Sequence, residues 1–366
     1  MIYGATPIFA DIEKDYFCLD PKSVEERITK RTKAIIVVSL FGQPYSWEIN
    51  RVARKHNLIV IEDAAQALGA LFCQPEGFYI PDKCPKCGQK GAIQYLKDIA
   101  AWQKITGKEI PDNMYGCGAC GETWIEFSTS HQSKFAGTLG DIGIYSFNYG
   151  KHITCGEGGM IVTNNPNLAF RCQLLRNHAE AVIKEMDNRR WIDESMVGFN
   201  MRMTELQAVI VSQQLRKFDV LQQQRIKNVI FLNTYLSEIP PIEIRKVRIN
   251  CTHTYYVLPF LWNSEFSEGI SRDIFIEAVK AELTERYGRE GEGIPIGCGY
   301  IQSLYLLPLF QSKNNENYQK GSCPVCEDLS ENRLFLTLYH SPNSTTDDME
   351  DVVEAFHKVW NNRNEL

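Results

Sequence analysis

The first third of the chain alternates short apolar runs with amphipathic stretches, and this alternation restricts the folds that the chain can adopt. The run KAIIVVSLF is rich in β-branched residues and predicts a buried strand. The stretch WEINRVARKHN shows helical spacing, and LIVIEDAAQA predicts a second strand that ends on acidic residues. Strands joined by a helix form a parallel sheet, so we expect an α/β fold with functional groups at the carboxyl ends of the strands.

This alternation of strand and helix patterns stops after Phe72. It resumes at GTLGDIGIYSFNYGK, which is followed by GGMIVTNN. From Thr204 onward, ELQAVIVSQQLRKFDVLQQQR predicts a helical bridge between domains, and THTYYVLPFLW and RDIFIEAVKAELTERYG predict a strand and a helix of a second unit. We therefore predict a large domain at 1–72 and 134–220, an inserted module at 73–133, and a small C-terminal α/β domain at 221–366.

Composition and charge favour a globular protein with a sizeable core. Hydrophobic residues make up 44% of the 366 residues, and the formal net charge is -6, which argues against a protein built to bind nucleic acid. No apolar run is long enough to cross a bilayer, and MIYGATPIFADIEKD lacks the pattern of a signal peptide. We expect a cytoplasmic protein with no membrane partner, whose twelve cysteines stay reduced.

Lys151 lies in the glycine-containing turn of SFNYGKHITCGEGG, directly after a predicted strand. A lysine whose ammonium pKa is lowered can bond covalently to a carbonyl group, although a lysine in such a turn is more often simply solvated. Asp63 ends the strand LIVIED, where its carboxylate could face a ligand or could cap the next helix. Neither residue defines a function alone.

Several segments become informative when their order along the chain is considered. They are GATPIFADI, KAIIVVSLFGQP, VIEDAAQALGA, GDIGIYSF, the lysine with GEGGMIVTN, LLRNHA and GFNMRMTELQA. In this order they resemble the DegT/DnrJ/EryC1/StrS family of sugar aminotransferases that depend on pyridoxal 5'-phosphate (PLP). The resemblance implies the type I fold of PLP-dependent transferases (aspartate aminotransferase-like). It also implies amino transfer from an amino acid, with glutamate expected, to a nucleotide-linked keto sugar in amino-sugar, polysaccharide or lipopolysaccharide biosynthesis.

The resemblance also assigns roles to five residues. Lys151 would hold PLP covalently and move the proton between cofactor and substrate. Asp63 would keep the pyridine nitrogen protonated, and Gln66 would contact the ring or its phosphate region. Ser146 would donate its hydroxyl to the phosphate. Asn200 would reach the phosphate of the neighbouring subunit, so the resemblance predicts a homodimer with shared sites.

Other functions stay open. The family carries a Gly-Thr phosphate-binding turn ahead of GATPIFADI, so we expect an N-terminally truncated member, which could be an inactive docking protein that binds zinc without PLP. A relative with histidine in place of the lysine performs dehydration, so a PLP-dependent sugar dehydratase is a further alternative. Lys151 occupies the lysine position and His152 follows it, which favours transamination.

The predicted insertion contains two C-x-x-C-G turns, formed by Cys84 with Cys87 and by Cys117 with Cys120. Two such turns give a closed tetrahedral site of four thiolates, so we predict a zinc-ribbon-like module with a structural zinc ion. The same turns suit a single iron ion, which is the alternative metal. Lysines and acidic residues balance within the module, and nucleic-acid binding is therefore not expected.

A third cysteine pair and three other residues have sequence patterns that indicate a functional role only weakly. Cys323 and Cys326 form a C-x-x-C sequence without the glycine or a second pair, so we interpret them as ordinary thiols at the start of a helix. His178 and His253 are possible site residues, although isolated histidines are more often structural. Tyr300 could shape the substrate pocket from the small domain.

Overall fold

The computed structural model describes residues 4–73, 133–180, 196–283, 295–298, 302–313 and 316–366, and the backbone of 93–95, 114–117 and 123–125. The α-helices within these residues are α1 (Pro21–Glu26), α2 (Glu48–Lys55), α3 (Pro166–Arg176), α4 (Glu205–Leu215), α5 (Phe218–Leu236), α6 (Arg272–Glu282), α7 (Pro308–Gln311), α8 (Pro324–Asp328) and α9 (Thr346–Asn361). The strands are β1 (Ala34–Val38), β2 (Ile59–Asp63), β3 (Leu71–Cys73), β4 (Ile93–Tyr95), β5 (Met114–Cys117), β6 (Thr123–Ile125), β7 (Ser133–Phe135), β8 (Ile142–Ser146), β9 (Gly159–Val162), β10 (Ile242–Ile244), β11 (Leu258–Trp262), β12 (Ile296–Gly297) and β13 (Leu334–Thr337).

The chain divides into two compact units. The first comprises the described parts of 1–70, 135–221 and 302–327, and the second comprises those of 71–134, 222–301 and 328–366. The predicted domains stay a prediction, although this division also changes near residue 220. The division differs at 302–327, which the sequence interpretation assigned to the small C-terminal domain.

The first unit contains the predicted parallel sheet. Its strand order is β1-β2-β8-β9, with β1, β2 and β8 parallel and β9 antiparallel to β8. Ile35, Val37 and Val60 point to one face and are buried, as alternation along a strand requires. The opposite face carries Asp63 at the carboxyl end of β2, so the predicted position of the acidic group is confirmed.

The segment 302–327 joins the first unit through contacts with residues far away in the sequence. The Tyr318 hydroxyl donates a hydrogen bond of 2.7 Å to the carbonyl oxygen of Pro7. The Asp11 carboxylate accepts from the backbone N–H groups of Val325 and Cys326, both at 2.9 Å, at the start of α8. These bonds satisfy N–H groups that the helix itself leaves without partners.

The second unit packs helices against an antiparallel sheet of order β10-β11-β13-β12. Its core is aromatic: Trp262 and Phe275 lie 4.7 Å apart by ring centroids, and Phe260 stacks on Phe335 at 5.2 Å. Because α6 and α9 both contribute to this core, the predicted C-terminal α/β unit has a hydrophobic centre of its own.

The predicted insertion is described only in part. Strands β4, β5 and β6 form a three-stranded antiparallel sheet, and β3 pairs with β7 in a separate two-stranded sheet. Cys84, Cys87 and Cys120 lie outside the described residues, and Cys117 is described only by its backbone at the end of β5. The zinc-ribbon-like module therefore stays a prediction.

No helix within the described ranges has both the length and the apolar character needed to cross a bilayer.

Candidate active site

The turn that carries Lys151 is built by Asn148. The Asn148 side chain accepts a hydrogen bond of 3.1 Å from the Gly150 N–H and donates one of 2.8 Å to Glu157, and its carbonyl oxygen accepts from the Lys151 N–H at 3.0 Å. An asparagine that bonds to the backbone two residues later is a common way to form such a turn. The sequence interpretation did not single out Asn148, although N-x-G is a recognisable turn pattern.

The glycines after Lys151 close the same loop. The Phe147 N–H donates to the Gly158 carbonyl oxygen at 2.8 Å, and the Cys155 N–H donates to the Phe147 carbonyl oxygen at 3.1 Å. A Cβ atom at Gly158 would lie 2.7 Å from the Cys155 sulfur atom, so a larger residue would push the loop apart. This close approach is a physical reason for the glycine at position 158.

Lys151 is partly buried, and its environment changes its acidity. Burial lowers the pKa of the Lys151 ammonium, and the negative charge of Asp63 opposes this effect. A lowered pKa increases the fraction of neutral amine, which is the form that attacks an aldehyde. Asp63 is also close enough to act on Lys151 electrostatically.

Asp63 and Ser146 lie at the carboxyl ends of adjacent parallel strands. Asp63 is paired with Ile144, and Ser146 lies two residues further along β8 on the same side of the sheet. One Asp63 oxygen accepts a hydrogen bond of 3.0 Å from the Ala65 N–H. The Ser146 hydroxyl accepts a bond of 3.3 Å from the Asn148 N–H and keeps its own proton to donate.

Gln66 is held by the segment that follows β1. Its side-chain oxygen accepts a hydrogen bond of 2.8 Å from the backbone N–H of Phe41. Phe41 is buried and has a φ of 60°, a left-handed conformation that is uncommon for a bulky residue. The sequence interpretation did not identify this contact.

Asn200 occupies a different place in the first unit. It forms an isolated bridge with Asn177, and its side chain is exposed. Neighbouring backbone bonds join the two segments, including His178 N–H to the Phe199 carbonyl oxygen at 3.0 Å. The structure therefore joins GFNMR to LLRNHA, and the predicted contact of Asn200 with a neighbouring subunit stays a prediction.

One of the two candidate histidines, His253, has the surroundings of a structural residue. His253 is buried in the second unit, stacks on Tyr255 at 4.1 Å and accepts the Tyr255 N–H at 2.9 Å. Burial lowers the pKa of His253 to about 3, so this ring is neutral at ordinary pH. These contacts give His253 a structural role, while Tyr300 lies outside the described residues.

Within the described part of the chain, no cluster of three or more histidine, cysteine or acidic side chains could hold a metal ion. Cys323 is a buried free thiol, and Cys326 is a partly buried one. Burial is the main cause of a raised pKa in both thiols, which reaches about 11 for Cys323. A raised thiol pKa disfavours the thiolate form that binds metals.

The donor set at the end of the sheet fits PLP. Lys151 offers an amine for the aldehyde, Asp63 offers a carboxylate for the ring nitrogen, and Ser146 offers a hydroxyl for the phosphate. Gln66 adds a side-chain amide, whose oxygen accepts a hydrogen bond from the Phe41 N–H.

Comparison with known proteins decides the family. The model of the DegT/DnrJ/EryC1/StrS aminotransferase family matches residues 1–106 and 112–357. The chain belongs to this aminotransferase family. The predicted resemblance is thereby confirmed at the level of the family.

Individual proteins are also similar to this chain. The putative L-glutamine:3-amino-2,3-dideoxy-scyllo-inosose aminotransferase of Micromonospora echinospora is 31% identical, covering 98% of this chain and 72% of that protein. The GDP-perosamine synthase of Escherichia coli O157:H7 is 24% identical, covering 98% and 74%. A solved aminotransferase from Psychrobacter cryohalolentis is 25% identical, with a TM-score of 0.70, and covers 98% and 76%. This structural similarity supports the predicted type I fold.

Proposed function

We propose that this chain is a PLP-dependent aminotransferase that moves an amino group from an amino acid to a nucleotide-linked keto sugar, in the biosynthesis of amino sugars or polysaccharides. The observation that carries the proposal is the placement of Lys151. This partly buried lysine, whose ammonium pKa is lowered by burial, lies within electrostatic reach of Asp63 at the carboxyl end of a parallel sheet. Ligands of open α/β sheets bind at this end.

One of the two named relatives supports the substrate class. The E. coli relative carries GDP-perosamine in its name, a sugar attached to a nucleotide. Glutamate is the amino donor that we propose. Because the M. echinospora relative is named for L-glutamine, glutamine belongs in the same assay as the competing donor.

When bound, PLP supplies an electron sink that makes the C–H bond beside the donor's amino group acidic. Lys151 has two tasks in this chemistry. Its neutral Nζ would hold the cofactor, and the same amine would take the proton from the α-carbon of the donor and return it on the cofactor side. Both tasks require an unprotonated amine, which the lowered pKa favours.

The other residues bind and orient. Asp63 holds a proton on the ring nitrogen because its negative charge favours the protonated form. The Ser146 hydroxyl donates to the phosphate, and the Gln66 side-chain amide donates to the ring or to the phosphate region. The Ala65 N–H and the Phe41 N–H fix the Asp63 and Gln66 side chains before a ligand arrives.

The proposal is tested by labelling and transfer with the purified chain. The protein is mixed with PLP and reduced with borohydride, and the pyridoxyl-labelled peptide is identified by mass spectrometry. Unreduced protein is then given ¹⁵N-glutamate or ¹⁵N-glutamine and a panel of UDP-, GDP- and dTDP-linked keto sugars. A label on Lys151 with ¹⁵N in the sugar supports the proposal, whereas folded protein without a label contradicts it.

A homodimer with shared sites is part of the proposal. Asn200 is exposed, and the nearby helix α4 exposes the apolar side chains of Leu206, Val209 and Ile210. Apolar side chains that cluster on one exposed helix are typical of a surface that is covered in an assembly. Covering this surface with a second copy would place Asn200 at the subunit boundary.

We also propose that Cys84, Cys87, Cys117 and Cys120 hold a structural zinc ion. The support is the spacing of the two C-x-x-C-G turns, because four thiolates form a closed tetrahedral site. Such a site contributes to folding and does not take part in the transfer chemistry. Iron stays the alternative metal, and metal analysis distinguishes the two.

A further inference from the structure

Glu62 directly precedes Asp63 in β2, but its side chain points to the opposite face of the sheet. Alternation along the strand places Asp63 on the candidate active-site side and Glu62 on the interior side. Glu62 is fully buried, with 0% of its surface exposed. A buried carboxylate is costly unless polar groups surround it, so its partners indicate why it is there.

The partners of Glu62 come from both neighbouring strands. One carboxylate oxygen accepts a hydrogen bond of 3.0 Å from the Ser39 hydroxyl, directly after β1. The other accepts a bond of 2.9 Å from the Leu139 N–H, and the N–H groups of Gly137 and Gly140 also donate to the carboxylate. Residues 137–140 lie shortly before β8. The Glu62 side chain therefore connects the segment after β1 and the segment before β8 to β2.

The loop before β8 is shaped to reach this carboxylate. A Cβ atom at Gly140 would lie 2.8 Å from the carbonyl oxygen of Val60, and one at Gly143 would lie 1.8 Å from that of Gly137. Both distances are too short for any residue except glycine. The motif GTLGDIG, which the catalytic assignments leave unexplained, thus lets this loop lie directly against β2 and point its N–H groups at Glu62.

Two of these three strands, β2 and β8, carry candidate cofactor groups. The Ser39 N–H donates to the Asp63 carbonyl oxygen at 2.9 Å, and the Ala64 N–H donates to the Ile144 carbonyl oxygen at 3.0 Å. Ser146 ends the strand that begins after the Glu62-bound loop. The relative positions of Asp63 and Ser146 therefore depend on how β8 is fixed against β2.

We propose that Glu62 is a positioning residue, which fixes the spacing between Asp63 and Ser146 and so sets the affinity of the site for PLP. This inference rests on the proposed function, because PLP is the ligand whose ring nitrogen and phosphate those two groups would hold. Glu62 does not touch the cofactor. It acts through the strand ends that it joins.

The test compares Glu62→Gln with Glu327→Gln. Glu327 is a matched control because it is buried in the same unit and accepts the Gly321 N–H on both carboxylate oxygens, at 2.8 and 2.9 Å. Three quantities are measured for each protein: the thermal midpoint without PLP, the Kd for PLP, and the visible absorption spectrum of bound PLP. Ser39→Ala, which removes one donor, serves as a milder variant if Glu62→Gln fails to fold.

Replacing one acceptor oxygen by an N–H₂ group breaks at least one buried hydrogen bond, so Glu62→Gln should raise the Kd for PLP by about tenfold or more. Its absorption spectrum should also shift, since Asp63, the partner of the ring nitrogen, is no longer held in the same position. Glu327→Gln should lower the thermal midpoint and leave the Kd and spectrum unchanged. Ser39→Ala should show the change of Glu62→Gln in weaker form.

A Glu62→Gln protein with the wild-type Kd and spectrum, and only a lower thermal midpoint, would overturn the inference. So would a Ser39→Ala protein with the wild-type Kd, if Glu62→Gln does not fold. Wild-type protein that is folded but binds no PLP would be a different outcome. It would refute the proposed function, and this inference with it.

Discussion

The side-chain oxygen of Gln66 accepts a hydrogen bond of 2.8 Å from the backbone N–H of Phe41. This bond holds a phenylalanine whose φ of 60° lies in the left-handed region, which costs about 1–2 kcal/mol for a residue other than glycine. It also fixes the orientation of the Gln66 amide, with the oxygen toward the Phe41 N–H. One side chain thus stabilises the local fold and prepares the site.

These two roles of Gln66 can be separated by substitution. Gln66→Glu keeps an acceptor for the Phe41 N–H but removes the N–H₂ donor, so we expect it to be more stable than Gln66→Ala and to have a Kd for PLP that is about tenfold higher than wild type. Gln66→Ala removes both and should also lose about 1–2 kcal/mol of unfolding free energy. Urea unfolding and PLP titration measure the two effects. Equal affinities for PLP in Gln66→Glu and wild-type protein would exclude the ligand contact.

Lys151→Ala should abolish covalent capture of PLP without unfolding the protein, because this side chain is only partly buried and lies in a turn. The measurement is the pyridoxyl label after borohydride reduction, with circular dichroism as the check on folding. Lys217→Ala is the control, since Lys217 is an exposed lysine of the same unit. Undiminished labelling of the Lys151→Ala protein would assign the cofactor lysine elsewhere.

The pH dependence of PLP capture follows from the environment of Lys151. Burial lowers the pKa of its ammonium, so the capture rate should rise with pH around a midpoint below the value of about 10.4 for an ordinary lysine. The charge of Asp63 opposes this shift, so Asp63→Asn should move the midpoint to still lower pH while weakening PLP binding. Stopped-flow absorbance from pH 6 to pH 10 measures both proteins. A midpoint that rises in Asp63→Asn would contradict the electrostatic pairing.

Much of this arrangement can be predicted from sequence, because local patterns determine it. KAIIVVSLF, WEINRVARKHN and LIVIEDAAQA become β1, α2 and β2, and the alternation of burial in β2 places Asp63 on the site-facing side. The same period of two would have indicated that Glu62 faces the interior. Its hydrogen-bond partners could not be predicted locally, since Leu139 is 77 residues away.

The division into two units also depends on contacts between distant residues, which local sequence patterns do not predict. Sequence order assigned 302–327 to the small domain, because a chain usually stays in one domain until a linker appears. The structure groups it with the first unit, where Tyr318 bonds to Pro7 and Arg27 donates to the carbonyl oxygen of Ser322 at 2.6 Å. Such contacts between distant residues have no local periodicity. The continuous helical pattern after Thr204 also conceals the break between α4 and α5.

The metal prediction can be tested with two cysteine pairs of the same spacing. Cys84→Ser with Cys87→Ser should remove about one zinc per chain, because two of four thiolate ligands are lost. Cys323→Ser with Cys326→Ser is the control and should leave the metal content unchanged. Inductively coupled plasma mass spectrometry counts zinc and iron in each protein. A metal content that stays unchanged in both double variants would refute the four-cysteine site. One iron in place of zinc per wild-type chain would identify the alternative metal.

Shared active sites can be tested by mixing two defective proteins. Lys151→Ala and Asn200→Ala should each be inactive as homodimers if Asn200 serves the partner's site. After exchange of subunits, a mixed dimer contains one site with both defects and one site with neither. Equal mixing should therefore restore about a quarter of wild-type ¹⁵N transfer, since about half of the dimers are mixed and each has one intact site. If each subunit instead completes its own site, no combination contains an intact site, and mixing restores nothing. A wild-type rate for Asn200→Ala alone would remove Asn200 from the site altogether.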